Sequence, residues 1–152
     1  MSSFDFDKCE WITVGTIGEP GNRTFYLQAR QDGALVSLKM EKQQVSALAE
    51  GLGDLLVEHA ATAELPDPDV LDLVEPVFAE WAVGSMALSF SAQEEIVLLG
   101  CEEMVIVPDD LPEDDWPPPH TAKFLFSRAQ AAGIATRGTV LMFLGRPDLG
   151  EL

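Results

Sequence analysis

The feature that most constrains the fold is a strand that runs directly into an amphipathic helix, and it occurs twice. Residues 35–40 form an apolar, partly β-branched run typical of a strand. Residues 41–59 then carry one apolar stripe at helical spacing. Residues 121–126 and 127–144 make the same transition near the end of the chain. The sequence therefore predicts two sheet-then-helix modules.

The second helix has a recognisable start. Ser127 and Gln130 have the spacing of a capping box, in which each side chain bonds the backbone of the other residue. The run at 139–144 is apolar and partly β-branched, so a strand there remains an alternative to a continuous helix.

Two further strands precede each predicted strand-to-helix transition. In the first half they are residues 11–17 and 23–30, followed by an Asp-Gly turn. In the second half they are residues 78–90 and 95–107, joined by a hairpin at 91–94. Because hairpins connect antiparallel strands, we predict an α+β fold with antiparallel sheets and helices packed on one face. The β-β-β-α unit is expected twice.

We predict a single domain over residues 1–152, with halves at about 9–60 and 78–145 related by a pseudo-twofold axis. An offset of 87 places Gln43 over Gln130. Few other residues match, so a true duplication and a shared strand-to-helix pattern both remain open.

Charge limits the partners. Nine Lys and Arg against 26 Asp and Glu give a net charge of −17, which disfavours nucleic acid and anionic membranes. Solubility and attraction to a basic protein surface both remain as explanations. The chain shows no apolar run of the ~20 residues that a spanning helix needs, and its start lacks signal-peptide features. Cys9 and Cys101 are outside any CxxC spacing, so we expect a cytoplasmic protein without a disulfide.

The most polar stretch is an acidic, Pro-rich surface loop at residues 108–120. Successive prolines favour extended backbone, and the carboxylates keep the stretch in water. We predict that this loop contacts a partner through five acids and one aromatic residue: Asp109, Asp110, Glu113, Asp114, Asp115 and Trp116.

The turn between the first two strands is the best candidate ligand loop. Glycines and Asn can present backbone N–H groups to an anion, and Arg adds a fork of donors. Neighbouring strands add two more cations, so the predicted ligand-binding residues are Gly18, Gly21, Asn22, Arg23, Arg30 and Lys39. No helix is predicted to begin at this turn, and neither GxGxxG nor GxxxxGK is present. A plain hairpin with a paired Arg is the competing interpretation.

Catalytic patterns are missing from the sequence. Nucleophilic catalysis needs a base near Ser, Cys or Thr and a third group that orients the base, and His59 and His120 lie in no recognisable motif of this kind. The acidic loop lacks the Asp-x-Asp-x-Asp-Gly spacing of a calcium site. We predict no catalytic residues, no metal site and no cofactor.

The sequence resembles one bacterial family. The segment Val-Gly-Thr-Ile-Gly-Glu-Pro-Gly-Asn-Arg-Thr-Phe-Tyr-Leu-Gln-Ala at 14–29, followed by Leu-Lys-Met-Glu-Lys-Gln-Gln-Val at 38–45, is similar to domain of unknown function 3090 of actinobacteria. Weaker similarity at 81–88, 128–132 and 145–147 extends the resemblance over nearly the whole chain. The resemblance implies no established activity.

Members of this family continue after Gly-Arg-Pro into a Cys-Pro-x-Cys-Gly segment that resembles a zinc ribbon. After Pro147 this chain reads Asp-Leu-Gly-Glu-Leu, without cysteine. The four soft ligands of a structural zinc site are not present there, so the resemblance does not imply zinc for this chain.

Two functions from different classes fit these observations. The first is a non-catalytic protein-binding or adaptor domain that uses the acidic loop. The alternative is a small-molecule enzyme or sensor that holds an anionic ligand in a basic groove between the halves. The sequence favours the first, and oligomeric state is not predicted.

Overall fold

The computed structural model describes residues 3–19, 21–59, 65–66 and 71–143. Residues 144–152, including the predicted end of the second half at 145, lie outside the described residues. The elements in chain order are β1 (Phe4–Phe6), β2 (Trp11–Ile17), β3 (Thr24–Gln31), β4 (Ala34–Met40), α1 (Lys42–Glu58), β5 (Val83–Ser91), β6 (Ile96–Glu103), β7 (Thr121–Ser127) and α2 (Arg128–Phe143). A 3₁₀ turn at Glu113–Asp115 separates β6 from β7.

The predicted α+β class is confirmed. One sheet has the order β2-β3-β4 and the other the order β1-β7-β6-β5, and hairpins join β2 to β3, β3 to β4 and β5 to β6. After the short first strand, the order strand, strand, strand, helix occurs twice. Neither described helix has the length and apolar content needed to cross a bilayer.

One sheet is mixed, where the sequence predicts antiparallel pairing. Strand β1 runs parallel to β7, with Phe4 opposite Ala122 and Phe6 opposite Phe124. Strand β1 is missed by sequence because three residues are too few for an alternating pattern to be recognised.

The two sheets are joined at both edges. The N–H of Cys9 donates to the carbonyl of Leu125 at 3.0 Å before the chain enters β2. At the opposite edge, the N–H of Lys39 donates to the carbonyl of Trp81 at 3.0 Å. The two sheets are therefore linked through Cys9 and through Trp81, and both halves contribute to one core.

The core draws on both sheets and both helices. Phe25, Leu27 and Ala29 of β3 are buried on one face, as their alternation predicts. The largest fully buried side chains are Phe124, Phe126, Ile12, Leu27, Leu38, Leu48, Leu52, Leu99, Ile134, Gln28, Val14 and Val45. Each fully buried aliphatic or aromatic side chain contributes roughly 1.5–3 kcal/mol relative to exposure.

The two helices approach each other closely. A Cβ atom added to Gly138 of α2 would lie 2.8 Å from the Cβ of Ala49 in α1, closer than carbon atoms pack. Within the described residues α2 is helical through Phe143, so the alternative of a strand beginning at 139 is wrong.

Both helices begin with a reciprocal cap. The predicted box is confirmed: the N–H of Gln130 donates to Oγ of Ser127 at 3.1 Å, and the N–H of Ser127 donates to Oε1 of Gln130 at 2.8 Å. At α1 the N–H of Glu41 donates to Oε1 of Gln44 at 2.8 Å. Each box satisfies backbone donors that a helix start leaves unpaired.

The same glutamines tie each helix to the other half. Nε2 of Gln44 donates to the carbonyl of Val83, and Nε2 of Gln130 donates to the carbonyl of Cys9, both at 2.9 Å. In the first half, the residue that makes the same contacts as Gln130 is therefore Gln44, one position after Gln43, which the sequence offset of 87 aligns with Gln130.

Residues 71–77 lie against the outer face of the three-stranded sheet. Oγ1 of Thr13 donates to the carbonyl of Leu71 at 2.6 Å. The amide of Gln28 accepts from the N–H of Val74 at 2.8 Å and donates to its carbonyl at 3.0 Å. This segment, here called the strap, forms one wall of a cavity described below.

The second-half strands are shorter than predicted. Strand β5 begins at Val83 and not at residue 78, because the preceding residues pair with β4 instead. Strand β6 ends at Glu103, and the apolar residues 104–107 extend beyond it. They lead into the acidic segment.

Candidate functional site

The predicted ligand turn joins β2 to β3. Gly18 has φ of 109° and Gly21 has φ of 84°, in the left-handed region that favours glycine. A Cβ atom at Gly18 would lie 2.5 Å from the carbonyl oxygen of Asn22. The N–H of Asn22 donates to the carbonyl of Glu19 at 2.8 Å. The turn requires glycine at position 18, and it brings the chain back at Arg23.

Arg23 is half-buried, and its Nε is a buried donor without a hydrogen-bond partner. In the described part of the chain no carboxylate forms an ion pair with it. A guanidinium stays protonated at any accessible pH, so this donor cannot lose its proton. An unsatisfied buried donor costs roughly 1–3 kcal/mol, and such a group calls for an explanation.

Two cavities share Arg23 in their walls. The first, here called the lysine cavity, has a volume of about 420 Å³. It is lined by Gly21, Arg23, Thr24, Phe25, Lys39, Met40, Glu41 and Lys42. Neither lysine forms an ion pair among the described residues. Its lining therefore holds three cationic side chains and one carboxylate.

The second cavity, here called the arginine cavity, has a volume of about 500 Å³. It is lined by Gly15, Thr16, Ile17, Gly18, Arg23, Asp72, Leu73, Glu75, Arg137, Val140 and Leu141. Nη2 of Arg137 contacts Oδ1 of Asp72 at 2.8 Å, whereas Nε of Arg137 is buried without a hydrogen-bond partner. The strap, the turn and α2 thus meet around two guanidinium groups.

The structure does not bring all six predicted ligand residues together. Gly21, Arg23 and Lys39 meet at the lysine cavity, and Gly18 joins Arg23 at the arginine cavity. Arg30 lies at the far end of β3, where its guanidinium carbon is 5.2 Å from the centre of the Trp11 ring. That position gives a cation–π contact and no place at either cavity.

Sequence reasoning missed Arg137 and Asp72, which complete the arginine cavity. The two residues are 65 positions apart, and nothing in their local sequence marks either as a site residue.

The acidic stretch predicted at residues 108–120 lies between β6 and β7. From here on, the name acidic loop includes the apolar residues before it and covers residues 104–119. Its five carboxylates Asp109, Asp110, Glu113, Asp114 and Asp115 are exposed, and none forms an ion pair within the described residues. Three large apolar side chains of the loop face water, with Met104 45%, Ile106 89% and Trp116 48% exposed.

Local hydrogen bonds shape this loop. The indole N–H of Trp116 donates to the carbonyl of Leu111 at 3.0 Å, and the N–H of Asp115 donates to the carbonyl of Pro112 at 2.9 Å. Trp116 therefore satisfies its only donor inside the loop and leaves its apolar surface at the solvent boundary.

The ends of the acidic loop are held together by Glu103 and His120. Nδ1 of His120 lies 2.7 Å from Oε1 of Glu103, the N–H of His120 donates to the same oxygen at 3.1 Å, and the N–H of Glu103 donates to the carbonyl of His120 at 2.8 Å. The hydrogen bond from the His120 side chain is the main reason that the pKa of Glu103 falls below its ordinary value of 4.5. His120 is thus a structural partner of the loop base.

The remaining nucleophile candidates are poorly activated. Burial raises the pKa of Cys9 and of Cys101 from 9.0 to about 12, so both thiols stay protonated at neutral pH. The His59 ring packs against Phe90 with centroids 4.5 Å apart. Within the described residues, no three His, Cys, Asp or Glu side chains are placed to hold a metal ion.

The fold and its two surfaces define an α+β domain with a cationic cavity region and a separate acidic loop. The family model described as "Protein of unknown function (DUF3090)" matches residues 4–150, and the chain belongs to this family. No curated protein and no solved structure gives a significant match.

Proposed function

We propose that this chain is a non-catalytic protein-binding domain whose acidic loop docks on a basic surface of a partner protein. The observation that carries the proposal is the exposure of Ile106 and Trp116 beside five unpaired carboxylates. Contiguous exposed apolar patches with a polar rim mark interaction sites, and these two apolar side chains lie in the segment that carries the five carboxylates. Tryptophan is also among the residues that most often dominate binding energy at an interface.

The construction of the loop supports a preorganised contact. Its base is tied by Glu103 and His120, and its tip is folded around the indole hydrogen bond of Trp116. A segment that is ordered before binding loses less conformational entropy when the complex forms. The loop therefore needs little rearrangement to present its aromatic ring.

Charge supports a basic protein as the partner. With a net charge of −17, the chain repels nucleic acid and anionic lipid, which is why neither is part of the proposal. Complementary charges accelerate association, and salt screens them over ~8–10 Å at physiological ionic strength. Binding through this loop is expected to weaken as salt rises.

The cellular setting belongs to the same proposal. We place the protein in the bacterial cytoplasm, which is supported by the family resemblance and by two free, buried cysteines. Their raised pKa values also favour a binding role over thiol catalysis.

The test uses affinity capture from a lysate of the source organism, followed by measurement with the purified partner. One variant carries Ile106→Ser and Trp116→Ala, and a second carries Asp109→Asn with Asp110→Asn. The control is Val57→Ser, because Val57 is 81% exposed on helix α1, outside the loop.

We expect the native chain and Val57→Ser to capture the same basic protein, with at least tenfold weaker binding by the Ile106 and Trp116 variant. Truncation of a central aromatic contact typically costs about 2 kcal/mol or more, which corresponds to this change. Unchanged capture by both loop variants would refute docking through the loop.

A further inference from the structure

The arginine cavity contains two buried guanidinium donors that the described protein does not satisfy. Nε of Arg23 and Nε of Arg137 are both buried without hydrogen-bond partners, and both residues line this one cavity. Among the described side chains, these two atoms are the buried polar atoms left without a partner. Both Nε atoms are closed off from the cavity, so the donors that a ligand can reach are the terminal nitrogens of these groups, and those of Arg23 form no hydrogen bond or ion pair among the described residues.

We propose that the arginine cavity binds a small organic carboxylate with an apolar body. The carboxylate accepts hydrogen bonds from Arg23, and Arg137 provides a second set of donors from the opposite half of the chain. Arginine suits this role because its planar fork of N–H donors matches the two oxygens of a carboxylate. Binding of this ligand is independent of the acidic loop.

The contact between Arg137 and Asp72 orients one guanidinium without using all of its donors. Nη2 of Arg137 is engaged with Asp72 at 2.8 Å, which leaves Nη1 without a hydrogen-bond partner among the described residues. Asp72 is 66% exposed, so this ion pair lies at the rim of the cavity. Arg23 forms no ion pair among the described residues and keeps its full positive charge for the ligand.

Formal charge selects the kind of anion. Arg23 and Arg137 are balanced by Asp72 and Glu75, so the lining has a net charge of zero. With a bound monoanion, the net formal charge of lining and ligand is −1. With a bound phosphate dianion it is −2, and the surrounding protein is itself strongly acidic. Because like charges at close range repel, the cavity favours a monocarboxylate over a phosphate.

Part of the lining can contact a hydrocarbon body. Ile17, Leu73, Val140 and Leu141 supply apolar side chains beside the polar groups of the cavity. The side chain of Leu73 sits over Gly15, where an added Cβ atom would lie 2.5 Å from Cγ of Leu73. The cavity volume of about 500 Å³ is within the 300–1,000 Å³ that is typical of ligand pockets.

The lysine cavity on the other side of Arg23 contributes attraction at longer range. Lys39 and Lys42 lack ion pairs among the described residues, and Glu41 is the one carboxylate in that lining. In a chain of net charge −17 this is a local positive field, which draws an anion toward Arg23.

Calorimetry with a series of linear monocarboxylates tests the proposal. Acetate, butyrate, hexanoate and octanoate vary the apolar body, hexanamide removes the charge, and inorganic phosphate supplies a dianion without a body. The variants are Arg23→Gln, Arg23→Lys and Arg137→Gln. Arg128→Gln is the matched control, because Arg128 contacts Glu95 and lines neither of the two cavities.

We expect affinity to rise from acetate to hexanoate and to be lost with hexanamide. Arg23→Gln should weaken hexanoate binding by about 10- to 100-fold, the range for hydrogen bonds to a charged group. Arg23→Lys should retain part of the affinity, and Arg128→Gln should match the native chain. Circular dichroism of each variant separates loss of binding from loss of folding.

Three results would overturn the proposal. The first is equal binding of hexanoate and hexanamide, which would indicate an apolar cavity without a role for the arginines. The second is binding of phosphate in place of every carboxylate. The third is absence of binding by the whole series to the folded native chain, which would mean that the cavity does not bind a monocarboxylate.

Discussion

Gln28 offers the sharpest test of how the fold is held together. It is fully buried at 0% exposure on the outer face of β3, although its neighbours in the alternating pattern predict a solvent-facing position. Its amide satisfies the backbone of Val74 in the strap and also donates to Oγ of Ser37. We predict that Gln28→Met, which keeps the size and removes the hydrogen bonds, detaches the strap.

The hydrogen bonds of Gln28 determine how much unfolding free energy the variant Gln28→Met should lose. Nε2 of Gln28 donates to Ser37 at 3.0 Å and to the Val74 carbonyl at 3.0 Å, and Oε1 accepts from the Val74 N–H at 2.8 Å. With a net contribution of 0.5–1.5 kcal/mol each, three hydrogen bonds give about 2–4 kcal/mol. That loss is a large share of the 5–15 kcal/mol typical of a domain's total free energy of unfolding.

Urea unfolding followed by circular dichroism measures this loss, and hydrogen exchange at Val74 locates it. Gln43→Met is the matched control, because Gln43 is exposed on α1 and should change the free energy of unfolding by less than about 0.5 kcal/mol. If Gln28→Met also changed it by less than about 0.5 kcal/mol, with unchanged exchange at Val74, the strap would not depend on Gln28.

Three further predictions concern the helix crossing, the thiols and the loop base. Gly138→Leu should destabilise the domain by about 1–3 kcal/mol or more in urea unfolding, since its side chain overlaps Ala49, and Ala49→Gly should recover part of the loss. Cys9 and Cys101, each with a pKa of about 12, should resist a thiol reagent at neutral pH until the chain is unfolded, and rapid labelling of the native protein would contradict their burial. The pKa of Glu103 is lowered by folding, so its contribution to stability is present above its ordinary value of 4.5 and is lost as pH falls below it. The difference in unfolding free energy between the native chain and Glu103→Gln should therefore shrink as pH falls from 6 toward 3. A constant difference would show that the contact with His120 does not stabilise the charged form of Glu103.

The elements with a regular pattern could be predicted from sequence. The α1 stripe places Val45, Leu48 and Leu52 inside, and these residues are buried as their spacing indicates. Strand β1 and the parallel pairing of Lys39 with Ala82 could not be predicted, because both depend on contacts between distant segments. The alternation along β3 puts Gln28 on the face opposite Leu27, and the strap that covers this face has no periodic pattern from which it could be predicted.

The candidate site residues likewise include some with a local sequence pattern and others that depend on contacts between distant segments. Arg23 could be singled out because its turn carries glycines whose positive φ angles have a sequence signature. Arg137 could not, because its importance comes from a cavity that the strap and α2 form together. Arg30 shares a strand with the predicted set, yet a strand rises about 3.3 Å per residue, so seven residues carry it roughly 23 Å from Arg23.

The glutamine contacts explain why these surfaces depend on both halves. Gln44 and Gln130 each cap their own helix and donate to a carbonyl of the other half, at Val83 and Cys9. Loss of either half would leave a helix start and a strand edge without partners, at roughly 1–3 kcal/mol for each buried group. The arginine cavity spans the same division, with Arg23 on one side and Arg137 on the other. A cavity built in this way exists only in the assembled domain, so we expect its ligand to stabilise the whole chain against unfolding and neither half alone.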